Sequence, residues 1–136
     1  MSKTNVEQLI NRMENDLVCW KQFNTFMNMA RNKKFTQEDE NQFLEIKSVI
    51  TQELELILCS IDCGPISRED VHGLISAAPS IRYLSEMNEN ALRNVENNWH
   101  KLFIGLQSLL GQLKVKQGQN ESKSFVGSLF SGRKAA

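Results

Sequence analysis

Apolar residues recur along this chain in steps of three and four almost from end to end. Val6, Ile10, Met13, Leu17, Trp20 and Met27 form one stripe, with Asn24 in its gap, and Leu9, Phe23 and Ala30 widen it. The period is helical, and such a stripe needs a neighbour to cover it. Thr4 followed by Glu7 has capping-box spacing, so the pattern predicts a first helix from about Asn5 to Arg31. Asn32-Lys33-Lys34-Phe35 breaks the period. Thr36 then stands as a cap with Asp39 three residues on, and Glu38 and Glu40 flank the positive end of the helix dipole. The second stripe is Phe43, Ile46, Ile50, Leu54, Ile57 and Ile61. It runs to Cys63-Gly64-Pro65, where glycine and proline predict a stop.

Ser67-Arg68-Glu69-Asp70 repeats the start signal, and Ile66 with Val71 has the spacing of a hydrophobic staple. This third helix is short, because the proline of Ala77-Ala78-Pro79 lacks a donor and clashes with the preceding turn. From Pro79 or Ser80 a last stripe carries Ile81, Leu84, Leu92, Val95, Trp99, Leu102, Leu106, Leu109 and Leu113. Unbroken to Lys116, it makes a helix roughly 55 Å long, against roughly 40 Å for each of the first two. The predicted fold is therefore all-α: an antiparallel bundle of three long helices and one short one over residues 1–116. Leu17, Trp20, Ile50, Leu54, Ile57, Leu92, Val95, Trp99, Leu102 and Leu106 are its expected core. Asn88 falls near the last stripe and reads as a register-setting buried asparagine.

The last helix is apolar on more than one face. Leu102, Phe103, Leu106, Leu109, Leu110 and Leu113 exceed what one covering partner needs, and Gly105, Ser108 and Gly111 among them leave room for close approach of another helix. These residues predict self-association, with a twofold dimer favoured.

Composition adds limits. The chain has 136 residues, 40% of them apolar, which supports one packed domain, and only two prolines, too few for a turn-rich β fold. No run approaches a membrane span, and no signal-peptide stretch follows Met1, so the expected compartment is the cytoplasm. Cys19, Cys59 and Cys63 make an odd number without a CxxC pattern and read as buried small hydrophobes. Basic and acidic residues cancel, 16 against 16, which gives no overall field for nucleic acid. The balance is not even along the chain. Residues 1–113 hold 11 basic and 15 acidic side chains, and residues 114–136 hold 5 and 1.

Chemistry is sparse. There is no phosphate loop, nucleophile elbow or HExxH motif, so no enzyme activity or cofactor is expected. Glu69 and His72 have the Glu-x-x-His spacing of di-iron bundles, and Glu96 precedes His100 by four, but a full site needs two matched pairs and two further carboxylates. These four residues are the candidates for a metal; surface and capping roles fit them better. Trp20, Trp99 and Phe103 read as core packing.

The tail is what a packed core does not explain. From Gln117 a polar, aperiodic stretch predicts a flexible linker over 117–136, ending in Phe125, Val126, Leu129 and Phe130 and then Arg133 and Lys134. The tail suits a linear motif that docks a protein partner, which makes a non-catalytic interaction or scaffold protein the leading expectation. It also suits weak attachment to an anionic membrane surface, strengthened if the body oligomerises. Finally, Phe125-Val126-Gly127-Ser128-Leu129-Phe130 after a polar linker resembles the C-terminal targeting peptides of encapsulin cargo proteins. That resemblance implies a cargo carried inside a protein shell.

Overall fold

The computed structural model describes the backbone of residues 3–60 and 66–135, and the side chains of residues 5–60 and 66–118. The described residues form five helices and no strand: α1 (Lys3–Asn32), α2 (Gln37–Ser60), α3 (Arg68–Ala77), α4 (Ile81–Ser85) and α5 (Glu89–Ala135). The all-α class is as expected. No helix among the described residues is long and apolar enough to cross a membrane.

Start and stop signals explain the boundaries. At the head of α2, Thr36 and Asp39 bond each other reciprocally: the Thr36 amide donates to the Asp39 carboxylate at 2.8 Å, and the Asp39 amide donates to the Thr36 hydroxyl at 3.1 Å. Ser67 caps α3 by accepting from the Asp70 amide at 3.0 Å, and Ile66 and Val71 are both buried beside it. The end of α1 takes a form the sequence does not advertise. Lys33 adopts a left-handed conformation, φ 57°, while the amides of Lys33 and Lys34 donate to Ala30 and Met29 carbonyls at 3.1 Å. This is the Schellman pattern, with lysine where glycine is usual.

Two expectations about the last stripe need correction. The stop at Pro79 falls where expected, but a second break at Glu86–Asn88 divides the predicted fourth helix into α4 and α5. Asn88 is not a buried register residue. It is exposed at the head of α5, where its side-chain oxygen accepts from the Ala91 amide at 2.8 Å. At its far end α5 continues past residue 117, where the change of composition predicts a linker, without a proline to stop it.

All ten expected core residues are buried. α1 is the hub and packs against α2, α4 and α5, while α3 sits between α2 and α5. Phe23 and Phe26 of α1 meet Phe43 of α2 with ring centroids 5.1 and 5.5 Å apart, in the tilted geometry aromatic pairs favour. The end of α1 is tied to the start of α5 through Arg31, which pairs with Glu89 at 3.3 Å and with Glu96. Cys19 is half-buried and Cys59 exposed, against the expectation of burial for both; Cys63 lies outside the described residues.

Candidate functional site

Among the described residues two ionisable side chains are buried, and both sit inside apolar stripes. On α1, Asp16 lies one turn after Met13 and one turn before Trp20, and only 3% of it is exposed. The Trp20 indole donates to its Oδ2 at 3.2 Å, and its Oδ1 has no hydrogen-bond partner. The line continues across helices, because the Trp99 indole of α5 donates to the Trp20 carbonyl at 2.9 Å. Burial pushes the Asp16 carboxyl up to about 7; the Trp20 hydrogen bond opposes this and the nearby Glu53 charge adds to it. Glu53 is itself held by Arg12 at 3.0 Å across the α1–α2 cleft. Burial likewise raises the Cys19 thiol, with Asp16 and Glu53 acting in the same direction.

On α2, Lys47 is 7% exposed. Its ammonium donates to the carbonyls of Ala78 at 2.9 Å and Pro79 at 2.7 Å, and lies 4.8 Å from the centroid of the Phe43 ring. Two turns earlier on the same face of this helix, Glu40 accepts from the amides of Ile81 at 2.6 Å and Arg82 at 3.2 Å. A cation thus closes the carboxyl end of α3 and an anion closes the amino end of α4, each matching the local helix dipole. Burial lowers the Lys47 pKa, and Glu40 counters it. Ser80 completes the elbow by accepting from the Tyr83 amide at 3.0 Å.

The candidate metal residues are not gathered. Glu96 is engaged by Arg31, while Glu69, His72 and His100 are exposed. Among the described residues no group of three or more His, Cys, Asp or Glu is placed to hold a metal ion. The expected self-association residues divide. Leu102, Leu106, Leu109 and Leu113 are buried in the chain's own core, where α1 and α3 cover them, and Phe103 and Leu110 are half-buried against it. Among the described side chains of α5, the large apolar ones turned outward are Ile104 and Val115. Gly105 already receives a neighbour from its own chain: a Cβ there would stand 2.6 Å from Ile66 Cδ1. The side chains of Phe125, Val126, Leu129, Phe130, Arg133 and Lys134 lie outside the described residues.

Asp16 and Lys47 are the residues the stripes concealed. A carboxylate and an ammonium at positions in phase with Met13–Trp20 and with Phe43–Ile50 were the available signal. Comparison with family models, curated proteins and solved structures finds no match to this chain.

Proposed function

We propose that this chain is a cytoplasmic, non-catalytic interaction protein. Its body is an antiparallel bundle of α1, α2 and α5 carrying the short α3 and α4. It self-associates through the outward surface of α5 and docks a protein partner through its tail. The antiparallel arrangement is supported by the order of contacts. Arg31 with Glu89 and Glu96, then Trp20 with Trp99, run in opposite directions along α1 and α5, as do Phe26 with Phe43 and Arg12 with Glu53 along α1 and α2.

The non-catalytic reading is supported by what the buried ionisable groups do: Lys47 joins helix ends and Asp16 ties a tryptophan in place. The observation that carries the docking reading is the division of charge. An acidic body with Ile104 and Val115 turned outward precedes a basic tail that bears two phenylalanines and a leucine. Affinity capture from host lysate tests it, comparing the full chain with the triple variant Phe125→Ser, Leu129→Ser, Phe130→Ser. Loss of a specific partner, with helicity and melting unchanged, supports a docking tail. Equal recovery by both proteins overturns it.

A further inference from the structure

Between α3 and α5 lies a groove of about 810 Å³. Gly73 and Leu74 form one wall, Leu102, Gly105 and Ser108 the other, and the side chain of Ile104, half exposed, stands at its lip. Its α5 wall repeats at helical spacing, so it is a trough along a helix rather than an isolated pit. Gly73 has no packing role in the chain, since a Cβ there would meet nothing within 4 Å. A glycine inside a helix is disfavoured against alanine, and this one leaves open space above it. Glu69 and Asp70 line the α3 side and Lys101 the other, leaving the groove net acidic.

The geometry points to an occupant with one apolar helical face and a cationic end: the tail of a second copy of this chain. In a helix Phe125, Val126, Leu129 and Phe130 share a face, and Arg133 and Lys134 follow one turn later, matching an apolar trough with acids at its rim. A second copy is required because α5 runs on from Gly118 to Ala135, about 25 Å further along its own axis and away from its own groove. Two chains exchanging tails make a closed twofold dimer. This inference rests on the docking tail proposed above and supplies its receptor.

Sedimentation equilibrium of the full chain tests it, with a groove variant and a tail variant. Gly73→Gln blocks the trough without disturbing the fold, because the added side chain points into open space and improves helix propensity. The tail variant is the triple serine change. The expected result is a wild-type dimer that weakens as salt rises, a dimer dissociation constant at least tenfold higher for each variant alone, and recovered association when the two variants are mixed. That mixture pairs an intact tail with an open groove. A dimer unaffected by Gly73→Gln overturns the inference. So does a labelled peptide of residues 119–136 that binds the full chain and the Gly73→Gln chain equally, or binds neither. In those cases partner capture by the tail in the lysate experiment stands or falls on its own.

Discussion

Asp16 and Lys47 are both buried charges on helices that face each other, yet the surroundings treat them oppositely. Lys47 has two carbonyl acceptors, an aromatic face and an opposing carboxylate near by. Asp16 has one indole donor, an oxygen with no partner and a like charge near by. Burying a charge is tolerable when its hydrogen bonds are replaced and costly when they are not. Lys47 therefore serves the fold, joining α2 to the α3–α4 elbow. Asp16 is a place where the fold carries an internal cost at neutral pH.

The largest expected effect tests the cost at Asp16. Its carboxyl binds a proton more tightly folded than unfolded, 3.8 being the ordinary value and about 7 the folded one. Between those values the unfolded state has lost its proton and the folded state keeps it, so the group's contribution falls as pH rises, by about 4 kcal/mol in all. Asp16→Asn removes the titration. Urea unfolding of both proteins from pH 4 to 8 should show the variant gaining on the wild type as pH rises and levelling above about 7. A constant gap would mean that the orphaned oxygen carries no such cost.

Next comes Lys47→Met, which keeps the aliphatic stem and deletes the donors. Leaving the Ala78 and Pro79 carbonyls unanswered should lower stability by about 3 kcal/mol at neutral pH, read from urea midpoints. A loss well under 1 kcal/mol would erase the contrast with Asp16. Glu40→Gln sharpens the picture from the other end of the elbow. It keeps the shape but loses the charge at the amino end of α4, and should cost about 1 kcal/mol in the same assay. The smallest effect has the opposite sign and lies away from both charges. Lys33→Gly relieves a left-handed lysine and should raise stability by about 1 kcal/mol, visible as a higher melting temperature.

The legible part of the molecule was periodic. Helical spacing located every expected core residue, and Thr36 and Ser67 marked their helix starts because a capping side chain acts within three residues of itself. The illegible part arose where two signals shared one position. Asn88 and Glu89 form a start signal, but Leu84 and Leu92 keep the apolar phase on either side, so the stripe hid the break before α5. In α2 the pattern offered Ile46 for the covered row. The structure buries Lys47 instead and leaves Ile46 half-buried, because carbonyls freed by Pro79 reward a donor there. The candidate site was harder still. Lys47 and Glu40 act across helices, and no local spacing encodes which backbone ends will meet them.

One consequence follows from where the chain's two tryptophans sit. Trp20 and Trp99 share a single hydrogen-bonded line between α1 and α5, and Trp99 stacks on Phe103 at 4.8 Å. Their emission is therefore a local gauge of that junction, silent about the α3 edge and the elbow at Pro79. Far-ultraviolet dichroism reports every helix at once. Followed together during melting, the two signals separate on any event that loosens the periphery first, and coincide only when the whole chain lets go in one step.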